Sequence, residues 1–445
     1  MMRLLSVSFG LLTAAFLCSA CGVLSAGREA ASSAALVIPP ARAIPENSDA
    51  SETAIRFLEH RVKGDPLDFI AHNRLGGYYL QRLRETGNVT YLDLARRTAQ
   101  ASLAAVPAAQ NPGGLTLLAQ AEFASHNFAA ARDAAARLLE IKPLSPSQRT
   151  FAEQMTGDAL LELGEYDKAD EAYRRMKKSG GGVSVATRLA HYAWLKGDVA
   201  EAQRLYTEAL QMAVEQVPPA RESVAWCRWQ LGELAFAAGD YDTAEKHYAD
   251  ALTTFPNYFR ALAGLGRTKA ARGDLAAAIA DYERAVSLLP EPLFVAALGD
   301  LYKLAGRDKA AAAQFALVEQ TGRLSADSGA LYNRQLALFY ADHDLKPQQA
   351  YELAAKEFES RRDIYGADAL AWTALKAGRL SEAQSRISEA LRLGTKDARL
   401  FYHAGVIARA AGEQQAARNH LQHALQLSPH FDPWQASFAR KLLAE

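Results

Sequence analysis

Apolar residues and alanine recur at steps of three and four positions from about residue 53 to the end of the chain. This spacing places them on one face of an α-helix, whereas a half-buried strand would alternate at every second position. The body of the chain is therefore predicted to be helical throughout, without strands of any length.

A longer period lies on top of the helical pattern. The stretch GDYDTAEKHYADALTTFPN at 239–257 aligns with GDLAAAIADYERAVSLLPE at 273–291, so that Gly239 and Gly273 are 34 positions apart. In both stretches the shared positions include the leading glycine, two alanines, a tyrosine between them and a proline, while most of the charged positions vary. Self-similarity at this spacing is typical of stacked helical hairpins.

The shared positions resemble the tetratricopeptide repeat, in which a first helix with Leu-Gly, here Leu231-Gly232, precedes a tight turn and a second helix. About ten such units fit between residues 53 and 432, and the unit at 336–358 fits poorly because ADHDLKPQQ replaces the turn glycine. The resemblance implies an all-α fold, a right-handed α-solenoid superhelix. In such a solenoid we expect an elongated shape in which each repeat contacts only its neighbours.

The N-terminus has a different composition. Arg3 precedes an apolar run at residues 4–16 and the sequence LCSACG, which resembles a bacterial lipoprotein signal with Cys21 as the lipidated residue. Cys18 stands where that signal usually has leucine, so cleavage near Ala20 or Ala26, or an uncleaved anchor, stays open. Each alternative predicts export, and Gly22 after the cysteine favours a periplasmic protein anchored to the outer membrane.

Four segments follow from these patterns. Residues 1–21 are predicted to be the signal segment, and residues 22–52, which are small, polar and proline-containing, a flexible tether. Residues 53–432 are the predicted solenoid. Residues 433–445 begin a further helix with a charged face, which is expected to cap it.

Composition limits the partners. The chain has 50 Lys plus Arg and 50 Asp plus Glu, which gives no electrostatic argument for nucleic acid as a partner. Its cysteines are Cys18, Cys21 and Cys227, so no disulfide framework is expected, and Cys227 is predicted to be a buried thiol.

No catalytic constellation or cofactor motif was found in the sequence. His420 and His423 share a helix face without a third ligand, Asp342-His343-Asp344 is read as a polar turn, and the glycines of KKSGGGVS lack the lysine of a phosphate loop. We therefore predict a protein that is not an enzyme, with no metal and no small-molecule cofactor.

The resemblance to tetratricopeptide proteins also implies a concave groove lined by the first helices. The side chains predicted to face it are Gln154, Asp158, His191, Trp194, Trp226, Trp229, Glu233, Arg260, Arg267, Asp300, Arg334, Trp372, Arg399 and Arg409. Tryptophans are frequent at binding hot spots, and the arginines of the later half would favour carboxylates. Packing between adjacent helices is the alternative for each tryptophan.

These patterns predict a non-catalytic scaffold that binds other proteins or peptides in its groove. The N-terminal signal adds a lipid anchor in a membrane and a role in assembling envelope complexes. The alternative is an accessory subunit of an envelope enzyme complex that binds glycan or peptidoglycan, with Trp194, Trp226 and Trp229 as stacking platforms.

Overall fold

The computed structural model describes residues 38–44, 48–327 and 334–445. These ranges contain 22 α-helices and one short 3-10 helix, Ala108–Gln110, and no β-strand. The prediction of an all-α fold is confirmed. No helix within the described ranges is both long and apolar enough to cross a bilayer.

Ten consecutive helix pairs form hairpins, which confirms the predicted solenoid of about ten repeats. The pairs are α2 (Phe69–Thr86) with α3 (Thr90–Ala105), α4 (Pro112–Ala124) with α5 (Phe128–Glu140), α6 (Pro146–Glu162) with α7 (Tyr166–Ser179), α8 (Val183–Leu195) with α9 (Val199–Glu215), α10 (Arg221–Ala237) with α11 (Tyr241–Thr254), α12 (Phe259–Ala271) with α13 (Leu275–Leu288), α14 (Pro292–Leu304) with α15 (Asp308–Asp327), α16 (Arg334–Asp342) with α17 (Pro347–Ser360), α18 (Ile364–Lys376) with α19 (Leu380–Ala390), and α20 (Ala398–Ala410) with α21 (Gln414–Leu427). Helix α1 (Ser48–Gly64) precedes them, and α22 (Pro433–Ala444) follows.

The hairpin of α10 and α11 shows how the repeated residues form the unit. Gly232 lies so close to the ring of Tyr248 that a Cβ at this position would collide with it. Ala244 and Tyr248 are completely buried between the helices. Asp240 caps α11 by accepting a hydrogen bond from the backbone N–H of Thr243 at 3.1 Å. Charged residues that take no part in this packing, such as Lys246, differ between the repeats.

The unit at 336–358, which fits the repeat pattern poorly, is still a hairpin. Its turn contains Asp344 and Lys346 at φ values of 53° and 44°, where eight of the other nine hairpins have glycine. Pro347 then begins α17, and its fixed φ suits the first turn of a helix. An irregular turn therefore replaces the glycine without ending the solenoid.

The segment before the solenoid was predicted to be a tether over 22–52. Helix α1 begins at Ser48, inside that segment. Residues 38–44, which we call the strap, lie against α10 and α11: Arg228 donates to the Pro39 carbonyl at 2.9 Å, and the Ile44 N–H to the Thr254 carbonyl at 3.4 Å. The predicted signal segment at 1–21, with Cys21, lies outside the described residues.

The expectation that each repeat contacts only its neighbours is wrong. The turns at Gly87, Gly164, Gly197 and Gly239 lie against the loops at 289–291, 361–363, 391–397 and 428–430, and we call this set of contacts the seam. Along the seam the Ile364 N–H donates to the hydroxyl of Tyr166 at 2.8 Å, across 198 residues. The solenoid therefore completes one superhelical turn in about 200 residues, and the next turn packs on it.

Buried charges lie at the centre of the seam. Arg361 pairs with Glu162 of the earlier turn, while Arg334 pairs with Glu357 at 3.0 Å and with Asp363 at 2.8 Å. Burial raises the pKa of Glu162 to about 7, although Arg361 opposes the shift. Burial also opposes ionisation of Asp363, but Arg334 and Arg361 outweigh it and lower the pKa of that carboxyl. Each charge thus depends on a partner, and Arg361 and Glu162 connect the two turns.

Candidate functional site

All of the residues predicted to line the groove lie on first helices of the hairpins. They are distributed over α6, α8, α10, α12, α14, α16, α18 and α20. The second superhelical turn lies against the first, so these residues differ in how far they are exposed.

The predicted residues of α6 belong to a buried network. Asp158 accepts hydrogen bonds from the hydroxyl of Tyr173 at 2.8 Å and from Nε of Arg188 at 2.7 Å. The Gln154 amide donates to the hydroxyl of Ser184, and its oxygen accepts from Arg188 at 2.7 Å. Burial raises the pKa of Asp158, although Arg188 opposes the shift. Because these side chains satisfy one another, they stabilise the interior and present little to a partner.

Two residues of α8 are half-buried. Burial lowers the pKa of His191 to about 4, against the pull of Asp363, so the imidazole is neutral at pH 7. Trp194 packs between the core of α8 to α12 and the core that α6 to α8 share with α16 to α20. Trp194 therefore contributes to the contact between the two superhelical turns.

In the later half, two of the predicted residues also have partners within the chain. Asp300 accepts a hydrogen bond from Nε2 of His343 at 2.8 Å, and burial raises the pKa of Asp300 against the influence of that histidine. Trp372 is 2% exposed, donates from Nε1 to Asp342 at 2.8 Å and stacks on His403 with ring centroids 4.3 Å apart. Trp372 therefore packs between adjacent helices, which was the alternative to a role in binding.

Four of the five arginines predicted to attract carboxylates are paired with carboxylates of the chain itself. Arg334 is held in the seam, and Arg267 pairs with Glu233 at 2.7 Å. Arg399 lies 3.8 Å from Asp432, and Arg409 lies 2.5 Å from Glu445. The later half therefore does not present an open row of cations. For Arg399 and Arg409 the repeat pattern could not show this, because Asp432 and Glu445 follow the last hairpin.

Arg260 is different. Its guanidinium lies 5.3 Å above the ring of Trp229, and in the described part of the chain it has no ion-pair partner. Trp229 is half-buried, and the side chains of Glu233 and Arg267 beside it are 29% and 34% exposed. We call Trp229, Glu233, Arg260 and Arg267 the inner patch.

Trp226 is close to the inner patch but less available. It is 8% exposed, and its ring centroid is 6.4 Å from that of Trp229 and 5.9 Å from that of Tyr206. Trp226 therefore supports Trp229 from behind. The patch combines one aromatic face with two cations and one carboxylate, which suits a segment with apolar and acidic side chains.

The other candidate groups are buried or packed against neighbouring side chains. His420 and His423 pack against Phe401, and within the described ranges no three His, Cys, Asp or Glu side chains are placed to hold a metal. Cys227 is buried as predicted, and burial raises the pKa of its thiol. His247, on α11, is 3% exposed, and burial lowers its pKa to about 4.

Sequence reasoning missed the buried arginines Arg188, Arg228 and Arg361. Arg188 and Arg228 are 2% and 0% exposed, and Arg361 is 5% exposed. Arg228 lies in the run AWCRWQL, where an arginine among aromatic and apolar residues was the available signal.

Models of the tetratricopeptide repeat match three stretches of the chain, at residues 183–257, 229–291 and 369–430. These stretches are tetratricopeptide repeats. They cover the hairpins α8–α9, α10–α11, α12–α13, α18–α19 and α20–α21 in whole or in large part, so the inner patch lies on matched tetratricopeptide helices. A search of curated proteins found no match.

Several solved structures are similar to the chain. Cut9 in complex with Hcn1, from the APC/C, is 15% identical with a TM-score of 0.33, and the match covers 89% of this chain and 94% of that one. Yeast Tom70 is 14% identical with a TM-score of 0.36, covering 89% and 93%. A tetratricopeptide protein from Parabacteroides merdae is 18% identical with a TM-score of 0.32, covering 60% and 98%.

Proposed function

We propose that this protein is a non-catalytic scaffold that binds a segment of another protein at the inner patch. Tetratricopeptide proteins are generally protein-interaction scaffolds, and the matched repeats include the patch. The observation that carries the proposal is Arg260: it lies over Trp229, is half-buried and forms no ion pair in the described part of the chain, although the carboxylate of Glu291 is near enough to interact with it. A guanidinium held on an aromatic face can attract an acidic side chain, and the ring beside it can contact an apolar one.

The test is partner capture by the full chain with cross-linking in extracts. Trp229→Ala and Arg260→Glu are expected to reduce capture at least tenfold, because truncation of a central aromatic or arginine is typically the costliest change in an interface. Lys246→Glu, on a side chain that is 69% exposed on α11, is the matched surface control. Equal capture by all variants would contradict the proposal. Saturable glycan binding that Trp229→Ala abolishes would favour the glycan-binding alternative instead.

We further propose that the protein is exported and held at the outer membrane by a lipid on Cys21, where it serves in assembling envelope complexes. The supporting observation is the sequence LCSACG after an apolar run. A single anchored cysteine would place the solenoid at the membrane surface, close to such complexes.

Cys21→Ser is expected to move the protein from the membrane fraction to the soluble fraction and to remove lipid labelling. Cys18→Ser is the matched control, because it changes the neighbouring cysteine of the same segment. Membrane association that survives Cys21→Ser would contradict lipidation at this residue without affecting the proposal for the inner patch.

A further inference from the structure

The first helices of the last three hairpins and the final helix bring together a group of carboxylates that are separate from the inner patch. Asp342 ends α16, Asp368 lies on α18, Asp397 caps α20 and Asp432 caps α22. We call these four residues the acid cluster. Asp342 is exposed, Asp397 and Asp432 are half-buried, and Asp368 is 4% exposed.

Arg399 is the cation on which all four carboxylates act. Burial lowers the pKa of its guanidinium, but the carboxylates of the acid cluster outweigh burial and raise it. The guanidinium lies 3.8 Å from Asp432, which is longer than a hydrogen bond. The oxygen of Asp432 therefore remains available to a closer donor.

Other polar groups near the acid cluster do not offset its charge. Asp368 accepts a hydrogen bond from Nδ1 of His403 at 2.8 Å. Lys376 lies 4.6 Å above the ring of Trp372, but it pairs with Asp344 at 2.6 Å. The other three carboxylates of the acid cluster share one guanidinium, which leaves an excess of negative charge.

The pKa values of the carboxylates are consistent with this excess. Burial raises the pKa of Asp342, and Arg399 opposes the shift while Asp432 adds to it. Burial likewise raises the pKa of Asp397, and here Arg399 opposes the shift while Asp368 adds to it. A second cation close to these carboxylates would favour their ionised forms.

A buried side chain that is directed at the acid cluster lacks a donor. Gln435 is 8% exposed and donates from Nε2 to Asp342 at 3.0 Å. Because an ionised carboxylate can only accept, this contact fixes the orientation of the amide. Its Oε1 is then an acceptor, and in the part of the chain that the structure describes no donor reaches it. A ligand with several N–H groups beside Asp342 would supply that donor.

The arrangement of the carboxylates selects the kind of cation. Nowhere in the described ranges do three His, Cys, Asp or Glu side chains come close enough together to hold a metal ion. A guanidinium spreads its N–H donors over a planar fork, and an alkylammonium carries its donors on a flexible stem, so that either group can reach acceptors that are too far apart for one metal ion.

We propose that the acid cluster binds a guanidinium or alkylammonium group of a ligand, with Asp342, Asp432 and Gln435 as its acceptors. The inference goes beyond the proposed function, because the inner patch lies on α10 and α12 and attracts the opposite charge through Arg260. A basic side chain of a protein and a free polyamine share this chemistry.

The experiment is isothermal titration calorimetry on the full chain at low ionic strength, where charges are screened least. The probes are N-acetylarginine amide, its neutral isostere N-acetylcitrulline amide, and spermidine. The arginine probe is expected to bind about tenfold more tightly than the citrulline probe, because its hydrogen bonds are charge-assisted.

Two variants are expected to change this binding in opposite directions. Asp342→Asn keeps the size of the side chain but removes its charge, and should weaken binding of the arginine probe about fivefold. Arg399→Gln removes the resident cation and should strengthen it about fivefold, whereas damage to the fold would weaken it. Glu352→Gln, at an exposed carboxylate of α17, is the matched control and should leave binding unchanged. Circular dichroism on each variant verifies that the solenoid is folded.

Binding of the arginine probe that is no tighter than that of the citrulline probe, or that is equal in the wild type and Asp342→Asn, would overturn the proposal. Weaker binding to Arg399→Gln would also overturn it. Spermidine that binds more tightly than the arginine probe, with the same dependence on Asp342, would identify the ligand as a free polyamine, and weaker binding would identify a protein side chain; both results support the cation site. The probes require no partner protein, so failure here would leave the proposal for the inner patch intact.

Discussion

The turns of the first half and those of the second half have the same backbone but different surroundings. Gly197 and Gly306 adopt φ values of 74° and 70°. A Cβ at Gly197 would collide with the carbonyl oxygen of Gly394, whereas a Cβ at Gly306 would meet nothing within 4 Å. The same difference separates Gly164, which faces Arg362, from Gly412, which faces open space. The turn glycine therefore serves the local turn in eight of the ten hairpins, and only in the first half does it also make the contact between superhelical turns.

The largest expected difference is between Gly197→Ala and Gly306→Ala. Both place alanine in the left-handed region, at a cost of about 1 kcal/mol, but only Gly197→Ala adds overpacking against a backbone, at about 1–3 kcal/mol more. We expect a loss of about 3 kcal/mol for Gly197→Ala and about 1 kcal/mol for Gly306→Ala, measured by urea unfolding with circular dichroism. Equal losses would show that the seam contributes no stability.

A smaller, pH-dependent effect is expected at Glu291, in the loop that meets Gly87. Glu291 is 1% exposed, and burial raises its pKa to about 7, against the influence of Arg260. The folded protein then binds this proton more tightly than the unfolded chain. The stabilisation of the fold by this proton is fully present below pH about 4.5. About 2–3 kcal/mol of unfolding free energy is lost as the pH rises through 7.

Glu291→Gln removes this ionisation at nearly constant size. The variant is expected to exceed the wild type in unfolding free energy by about 2 kcal/mol at pH 8 and to match it near pH 4.5. Glu352→Gln, at an exposed carboxylate of α17, is the control and should show no such divergence. If Glu291→Gln were less stable than the wild type at pH 8, ionised Glu291 would be stabilising, which would contradict a pKa raised by burial.

The smallest effect is expected from one hydroxyl. Tyr241 exchanges a hydrogen bond with Ser428 at 3.0 Å and accepts one from the His430 N–H at 2.8 Å, both across the seam. Tyr241→Phe should cost about 1 kcal/mol. Tyr351→Phe, which removes a hydroxyl that donates to Glu382 outside the seam, should cost under about 0.5 kcal/mol. Thermal unfolding of both variants measures the two losses. An equal shift in Tm would contradict the larger contribution expected from the hydroxyl in the seam.

The hairpins could be predicted from the sequence because their determinants are local. Gly232, Ala244 and Tyr248 are close in sequence and recur, and their spacing alone indicates two helices in close contact. The seam could not be predicted in this way. It depends on the small rotation between successive repeats, which adds up over about six hairpins and leaves no periodic trace.

The candidate site could be predicted only in part, because the repeat pattern gives the position of a residue on its helix but not its exposure. The repeat pattern placed Trp229 and Trp372 on first helices, but position alone cannot separate a half-buried ring from one that is 2% exposed. Exposure of Trp372 is decided by His403 and Asp342, which come from two neighbouring hairpins. The pairing of Arg399 and Arg409 depends on residues after the last repeat, where the pattern gives no information.

The seam has a consequence for how such a chain can change in length during evolution. Repeat proteins can gain or lose whole units, because each unit interacts with its neighbours alone. Here an additional hairpin between Gly164 and Arg362 would move the Arg362 carbonyl about 34 residues further along the superhelix. The contacts at Gly197 and Gly239 would shift with it. Between these residues the number of repeats is therefore fixed by geometry, while a unit added after α22 would leave the existing contacts in register.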